Sequence, residues 1–444
     1  MVCIDAIFSL EEKMKQAMNR CTVWCSIVLA IGCGSVHAQT PTEALLADYL
    51  PLEAVVKDAL ISSPLIQVAR AKREGWSARA KGISAGSAEF ILRSTSQQRH
   101  DVVSGAQMYE SMVSIERPLR LWGKRGIDAD LALKTQTFAD IEYADAMHEG
   151  SRELLKFWFA YMRALADQKN AITTFSLAQK MQSLTSIKFK QGEVSKLDTE
   201  LASAEFARIS AARSLADSQL ASASSALLRR YPMLALPVTL PVALSVVPGE
   251  FPAIPEFKVS MVAMRGDFLE KNHELNMMRV DAQRLRLAAD RAARDHLPDP
   301  TLGVFMGRER AGAETIAGVM FSMPLPGAAR AHHASAVMAD AQAASDKVAL
   351  AEQQLGALFE SMWIQFQHKK TATENLNSAA QRQALAAEKS VKAYALGEGN
   401  LSEVLLIARM ASDNLNAAER MQIDVIELLA LIRLDLHQIW DFDE

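Results

Sequence analysis

Cysteine is absent from most of this sequence. All four cysteines of the 444-residue chain fall within the first 33 residues. Beyond them the chain can form neither a disulfide nor a thiolate metal site, so its stability must come from packing and assembly. Aromatic residues are also scarce, at 6% against 50% apolar residues overall. This profile suits close-packed helix pairs better than a thick globular core.

Three further absences restrict the class of protein. The net charge of −4 gives no basic surplus, so no nucleic-acid partner is expected. After Ala38 no run of eighteen apolar residues occurs, so a chain of this kind that crosses a membrane must do so with strands. No nucleophile elbow, phosphate loop, dinucleotide fingerprint or zinc-spaced Cys/His cluster appears, which predicts a protein that is not an enzyme and needs no cofactor.

The N-terminus has the pattern of an export signal. Lys15 and Arg20 precede the apolar run 23–31, and Val36-His37-Ala38 fits a small-x-small cleavage site. We therefore expect a signal peptide over residues 1–38, cut between Ala38 and Gln39.

Two points about this segment stay open. Glu11-Glu12 suits a basic leader poorly, so translation starts at Met1, Met14 or Met18. The sequence Ala30-Ile31-Gly32-Cys33 is an incomplete lipobox, and the alternative to cleavage after Ala38 is a lipoprotein acylated at Cys33.

The sequence contains an internal repeat. Three pairs of turn residues recur at separations of 206, 204 and 205 residues: Pro118 with Pro324, Gly123 with Gly327, and Gly192 with Gly397. A period of about 200 residues is too long for a solenoid unit and indicates a duplicated domain half. A segment at 231–255 holds six of the fourteen prolines and separates the copies.

These boundaries predict five segments. They are a signal peptide at 1–38, an N-terminal extension at 39–51, a first repeat at 52–230, a proline-rich linker at 231–256 and a second repeat at 257–444.

Each repeat has the same predicted order of elements: a helix, two strands and a long helical hairpin. Helices are expected at 52–86, interrupted at Ser63-Pro64, and at 257–296, and strands at 88–99, 109–116, 301–308 and 315–323. Strands of this length can cross a bilayer when tilted, but periodicity alone does not separate them from ordinary soluble hairpins.

The helical hairpins are the longest predicted elements. The runs 124–190 and 328–394 each hold 67 residues without proline, which is about 100 Å of helix. Returning helices are expected at 193–230 and 398–441. The last of these has an apolar seam with three-four spacing, in which Ala lies nearer the Gly397 turn. The seam consists of Leu401, Val404, Ala408, Ala411, Leu415, Ala418, Gln422, Val425, Leu429, Ile432, Leu436 and Ile439.

Few residues suggest chemistry. His332 and His333 are neighbours on a predicted helix, so their side chains point about 100° apart. A solvated helix face is therefore favoured over a metal site. The methionines around Met264 could suit a soft metal but are more typical of a helix core. Asp198 and Glu403 each lie six residues past a turn glycine. They are either ordinary carboxylates at a helix start or, in a symmetric oligomer, a ring that attracts cations.

The duplication, the strand-to-helix turns and the glycine tips together resemble outer-membrane efflux proteins of the TolC family, over nearly the whole chain from Leu52. The turn residues that carry the resemblance are Pro118, Gly123, Lys124, Arg125, Pro324 and Gly327, and the tip residues are Gly192, Asp198, Gly397 and Glu403. The turn Trp122-Gly123-Lys124-Arg125 is similar to that of outer-membrane components of heavy-metal efflux systems. Leu406 departs from the family pattern, because a second gate carboxylate is expected there.

The resemblance implies a mainly α-helical fold with a membrane β-barrel part. Four transmembrane strands from each subunit of a homotrimer would close a twelve-stranded barrel in the outer membrane, and duplicated antiparallel hairpins would form an α-barrel across the periplasm. It implies Asp198 and Glu403 at a constriction, and contact with a periplasmic adaptor at Lys190, Gly192, Ser195, Gly397 and Asn400.

The implied function is passive export through a duct powered by an inner-membrane RND pump, with heavy-metal cations as the leading cargo. Drug efflux and type I protein secretion use the same architecture and remain alternatives. A soluble periplasmic coiled-coil protein, such as an adaptor, is the alternative from a different class. An adaptor would need one helical hairpin flanked by β-rich domains, whereas this chain has two hairpins in tandem.

Overall fold

The computed structural model describes residues 41–86, 88–239, 253–257 and 259–442. The expected signal peptide, its cleavage site at Ala38 and Gln39, and Cys33 lie outside the described residues. The chain divides into one unit that ends at Leu45 and a second that begins at Leu46. All contacts described below lie within the second unit.

Within the described residues, three helices precede the first strand: α1 (Pro41–Tyr49), α2 (Glu53–Ile61) and α3 (Pro64–Ala85). The predicted interruption at Ser63-Pro64 is confirmed. Pro64 opens α3, where its missing N–H removes no helical hydrogen bond, and the Ser63 hydroxyl accepts a hydrogen bond from the Ile66 amide at 3.4 Å. The residues that break one helix therefore start the next.

Four antiparallel strands form one sheet in the order β1-β2-β3-β4. They are β1 (Ile91–His100), β2 (Gln107–Pro118), β3 (Thr301–Glu309) and β4 (Glu314–Ser322). The pairing of β2 with β3, from Ser111 opposite Arg308 to Pro118 opposite Thr301, joins the first repeat to the second. Within the described residues β1 and β4 each have one edge without a partner strand.

In the described part of the chain, six further α-helices follow β2. They are α4 (Lys124–Lys190), α5 (Lys196–Arg230), α6 (Met261–Lys271), α7 (His273–Arg294), α8 (Ala328–Ala395) and α9 (Leu401–Asp435). The two proline-free runs are single helices, as predicted. Helix α4 packs along α5 and α8 along α9, and α9 also packs against α4, so the two hairpins lie side by side.

Three predicted helix extents are wrong. The helix expected at 257–296 is broken at Asn272, which has the extended ψ of 119° and accepts a hydrogen bond from the Leu275 amide at 2.8 Å to cap α7. The returning helices begin at Lys196 and Leu401 rather than at 193 and 398, because the preceding residues form the turns, and α9 ends at Asp435 rather than at 441.

The apolar seam predicted for α9 is buried most completely in the half of the helix farther from the Gly397 tip. Leu401 and Val404 are buried beside the tip, Ala408, Ala411 and Leu415 are half-buried, and burial is continuous from Ala418 through Leu429 and Ile432. The small residues Ala408 and Ala411 therefore line the less buried part of the seam, nearer the tip. No helix among the described residues is long and apolar enough to cross a membrane.

Candidate functional site

The Trp122-Gly123-Lys124-Arg125 turn takes part in a cluster of polar contacts that joins residues 119–128 of the first repeat to residues 291–300 of the second. We call this cluster the clasp. The Lys124 side chain is only 1% exposed, and its Nζ donates to the Leu297 carbonyl at 2.7 Å. The same nitrogen lies 3.1 Å from a carboxylate oxygen of both Asp295 and Asp299. A buried ammonium needs such partners to offset its desolvation, so this lysine ties the start of α4 to the turn before β3.

Main-chain and indole contacts extend the clasp. The Trp122 Nε1–H donates to the Pro298 carbonyl at 3.3 Å, and Arg294 donates to the Trp122 carbonyl at 2.8 Å. The Leu119 amide donates to the Pro300 carbonyl at 2.8 Å. Arg125, in contrast, is exposed.

Sequence reasoning missed the second half of the clasp. Asp128, buried near the start of α4, accepts from Arg120 at 3.0 Å and from Arg291 of α7 at 2.8 Å. Arg120 also donates to the Ala85 carbonyl at 2.7 Å. Arg291 lies 163 residues from Asp128, and no local pattern in the sequence signals the pair.

The corresponding turn of the second repeat is uncovered. Pro324 and Gly327 are exposed, and Gly327 has extended backbone with φ of −119°. The only described side-chain link nearby is Arg330, which donates to the Asp295 carbonyl at 2.8 Å. The two copies of the turn therefore share their sequence register but differ in their surroundings within this chain.

The two faces of the sheet differ in character. Cross-strand neighbours share a face, so Leu302, Val304 and Met306 of β3 lie on one side with Ile115, Val113, Val319 and Phe321. We call this side the apolar face; all seven residues are exposed. Aromatic residues lie at both of its ends, Tyr109 at one and Phe321 at the other.

The opposite side of β1 and β2, here called the charged face, has a ladder of ion pairs. Arg93 lies 3.0 Å from Glu116, and Arg99 lies 2.9 Å from Glu110. Gln97 donates to Glu110 at 2.8 Å. Both glutamates are buried within the sheet, so their pairing with arginine offsets the cost of desolvation.

Polar contacts connect the two hairpins along the α4–α9 seam. Arg152 pairs with Asp435 at 2.5 Å, Arg163 with Asp424 at 2.9 Å, and Arg420 with Asp167 at 2.6 Å. Closer to the tips the pairs become neutral. The Thr174 and Ser412 hydroxyls lie 2.9 Å apart, and the Thr185 hydroxyl lies 3.2 Å from the Tyr394 hydroxyl of α8. Charged pairs therefore join the hairpins in the half of α9 farther from the tips, and hydroxyl pairs join them closer to the tips.

The hairpin tips are the same turn built twice. Gly192 and Gly397 have positive φ values of 77° and 92°, a left-handed conformation that favours glycine. After each glycine the next amide reaches back five residues: Glu193 N–H donates to the Lys188 carbonyl and Glu398 N–H to the Ala393 carbonyl, both at 2.9 Å. The sequence repeat therefore corresponds to the same backbone hydrogen bond at both tips.

The carboxylates expected near the tips have different surroundings. Asp198 forms a capping box with Ser195: its carboxylate accepts from the Ser195 amide at 3.0 Å, and its own amide donates to the Ser195 hydroxyl at 3.1 Å. Glu403 occupies the matching place in α9 and is exposed, while Asn400 caps that helix by accepting from the Ser402 amide at 2.8 Å. The Asp198 carboxylate therefore stabilises the start of α5 through the capping box. Glu403 takes no part in the cap of α9, which Asn400 supplies.

The residues expected at an adaptor contact all lie exposed at the tips. They are Lys190, Gly192, Ser195, Gly397 and Asn400. Sequence reasoning missed two buried residues just behind them. Lys188 lies 3.4 Å from Glu193 and 5.4 Å from the centre of the Tyr394 ring, and Tyr394 packs with Met181, Leu401 and other apolar residues of both hairpins.

Three imidazoles meet where the middle of α4 contacts the start of α7 and the end of α9. The ring centres of His148, His273 and His437 lie 4.8 to 5.6 Å apart. Burial lowers the pKa of His148 to about 3, and nearby Arg152 adds to the shift. Burial raises the pKa of the adjacent Asp435 to about 6. Within the described part of the chain, no group of three or more His, Cys, Asp or Glu is arranged to hold a metal ion.

The methionine cluster and His332-His333 lie in different surroundings. Met264 is buried in the core with Phe268, and both histidines are exposed on α8. These positions agree with the core and solvated-face interpretations of the sequence.

Comparison with solved structures identifies the fold. The outer-membrane channel OprN superimposes with a TM-score of 0.73 at 16% identity, covering 87% of this chain and 90% of that one. The outer membrane protein VceC from Vibrio cholerae gives 0.70 at 16% identity, covering 86% and 95%. CusC, described for its transmembrane channel formation, gives 0.68 at 12% identity, covering 86% and 91%.

Comparisons based on sequence alone find no match. No family profile matches the chain, and no curated protein sequence does. At 12 to 16% identity the structural likeness concerns the fold. It confirms the predicted fold, in which long antiparallel helical hairpins join a four-stranded sheet as in the outer-membrane channels.

Proposed function

We propose that this protein is an outer-membrane exit duct of a tripartite efflux system, with its helical hairpins in the periplasm. The observation that carries the proposal is the exposed apolar face of the sheet, with aromatic residues at both ends. An exposed apolar patch needs a partner, and a band of this kind is typical of transmembrane strands. The fold shared with outer-membrane channels supports the same conclusion.

We further propose a homotrimer in which three four-stranded sheets close a twelve-stranded barrel. Closure would pair the two open edges, at β1 and β4, that a single chain leaves exposed. It would also give the uncovered Pro324–Gly327 turn a neighbour, as Pro118–Gly123 has within the chain. The proposal keeps the two repeats at 52–230 and 257–444, joined by the proline-rich segment 231–256.

At the tips, the proposal assigns Asp198 and Glu403 to the constriction and Lys190, Gly192, Ser195, Gly397 and Asn400 to adaptor contact. Exposure of the five contact residues supports this, as does their position at one end of both hairpins. The adaptor would in turn connect the duct to an inner-membrane RND pump. Transport through the duct would be passive, and no bond would be made or broken.

Fractionation tests the duct. We expect the full chain to sediment with outer-membrane vesicles, to resist extraction by carbonate, and to give trimers on chemical cross-linking. A monomer released from the periplasm by osmotic shock would overturn the proposal and favour the soluble coiled-coil alternative.

Heavy-metal cations are our proposed cargo. The Trp122–Arg125 turn that suggests them also makes the clasp contacts, a role independent of cargo, so the cargo needs its own test. We expect a deletion strain to become sensitive to salts of Co, Zn, Cd, Cu or Ag. Unchanged metal tolerance together with new drug sensitivity would favour drug efflux, the second candidate.

A further inference from the structure

Arg308 lies on the apolar face of the sheet, at the end farther from the helices. Its cross-strand neighbours on that face are Ser111 of β2 and Thr315 of β4, and Ser111 is in turn opposite Ser96 of β1. All four side chains are exposed. Arg308 makes no ion pair or side-chain hydrogen bond with the rest of the described chain. We call this set of four residues the arginine row.

The row directly follows the apolar residues. Two positions nearer the helices the same face has Val113 and Met306, and then Ile115 and Val304. One row beyond Arg308, on the same face, lies Tyr109, which is 69% exposed. Tyrosine at this level is typical of the interface between the hydrocarbon core and the headgroups.

The spacing places Arg308 in the outer part of the membrane-facing band, from which its long side chain can extend to the lipid headgroups. From Leu302 to Arg308 the strand advances six residues, or about 20 Å at roughly 3.3 Å per residue, and a strand tilt of about 40° shortens this further. The apolar band of an outer-membrane barrel is about 25 Å tall. Arg308 therefore lies within the membrane boundary rather than above it, where a charged side chain without a partner is costly.

We propose that the arginine row binds the phosphate groups of outer-leaflet lipids, an inference that rests on the membrane location proposed above. A guanidinium offers paired N–H donors that match phosphate geometry, and hydroxyls on the adjacent strands lie about 4.8 Å away on either side. Acyl chains would lie on the apolar residues that precede the row. This continuity favours a phosphorylated lipid over free phosphate.

The experiment reconstitutes the full chain into vesicles of phosphatidylcholine containing about 5% bisphosphorylated lipid A. After detergent extraction and purification, mass spectrometry gives the ratio of lipid A to phosphatidylcholine that remains bound. We expect enrichment of lipid A over the vesicle composition, reduced about tenfold in Arg308→Gln. Arg70→Gln, which removes an exposed arginine from α3, is the matched control and should retain the enrichment.

Two readouts separate the possible failures. Flotation of the vesicles reports membrane insertion, and equal flotation of Arg308→Gln and the unmodified chain shows that the variant folds and inserts. If the unmodified chain does not float, the membrane proposal fails. If it floats but Arg308→Gln retains full lipid A enrichment, only the arginine row is wrong. Loss of the enrichment on adding inorganic phosphate would also overturn it, since the row would then bind free phosphate.

Discussion

Lys124 is the most deeply buried cation among the described residues and holds the two repeats together at the base of the sheet. Replacing it with Met removes three contacts and leaves Asp295 and Asp299 without their ammonium partner. Because both carboxylates are partly exposed, we expect a loss of about 2 kcal/mol, below the range for fully buried pairs. Thermal unfolding in detergent measures it as a lower Tm.

The neighbouring Arg125 supplies the control for this substitution. It is exposed, and Arg125→Met should change stability by no more than about 0.5 kcal/mol. Equal Tm values for the two variants would mean that the clasp does not stabilise the fold.

His148 predicts a pH dependence whose sign follows from its lowered pKa. The unfolded imidazole takes up a proton as pH falls below 6.5, but the folded one, with a pKa of about 3, does not, so this residue destabilises the fold in acid. Asp435, with its pKa raised to about 6, acts in the opposite direction, because the folded carboxyl takes up its proton first.

Replacing His148 with Gln removes the first contribution and leaves the second. The Tm of this variant relative to the unmodified protein should therefore rise between pH 7 and pH 5, by an amount equivalent to about 1 kcal/mol per pH unit. His332→Gln, on the exposed face of α8, is the control for replacing a histidine with glutamine outside the buried cluster. A constant difference across this pH range would refute the assignment.

Among the strands, Gly303 of β3 lies against β2 with no room for a side chain. A Cβ atom at this position would lie 2.8 Å from the Glu116 Cβ and 2.9 Å from the Ile115 carbonyl oxygen, which belongs to the backbone and cannot move aside. Gly303→Ala should therefore disturb the one strand pairing that joins the repeats, at a cost of about 1 to 3 kcal/mol in unfolding free energy.

Gly126→Ala gives the matched comparison. A Cβ at Gly126 of α4 meets nothing within 4 Å, so alanine there should be neutral or stabilise the helix by up to about 1 kcal/mol. Thermal unfolding of both variants decides between a specific effect at the strand pairing and a general intolerance of alanine.

At the scale of helices and strands, the sequence predicted the helix boundaries that glycine and proline determine. Helix α4 begins after Gly123 and ends just before Gly192 because glycine punctuates an uninterrupted proline-free run. The break at Asn272 was missed because it involves neither proline nor glycine. Its cause is a side chain that caps α7, and within an amphipathic run that signal is no stronger than that of any other asparagine.

Across the whole molecule, the contacts that join the repeats could not be predicted. Lys124 and Asp299 lie 175 residues apart, and Arg163 and Asp424 lie 261 apart. The sequence identifies each as an ordinary helix or turn charge, and only the side-by-side packing of the duplicated halves makes them partners. The glycine turns at the tips were predictable, but the different hydrogen bonding of Asp198 and Glu403 was not.

That difference makes Glu403 the cleaner test of a cation-binding constriction in the assembled duct. Asp198→Ala would also remove a capping box worth about 1 kcal/mol, so a change in conduction could reflect a frayed helix. Asn400 caps α9 on its own, and Glu403→Ala leaves that cap intact. In a trimer the substitution removes three negative charges from one level of the channel.

Single-channel recordings in planar bilayers measure the consequence. Block by a trivalent cation such as hexaamminecobalt should need a several-fold higher concentration in Glu403→Ala, because the ring that attracts the cation is lost. Glu398→Ala removes another exposed carboxylate, from the turn just before α9 and outside the helix start, and this variant should be blocked like the unmodified channel. If Glu403→Ala also blocks unchanged, the carboxylate only complements the dipole of α9 at its N-terminus, and the constriction lies elsewhere along the hairpins.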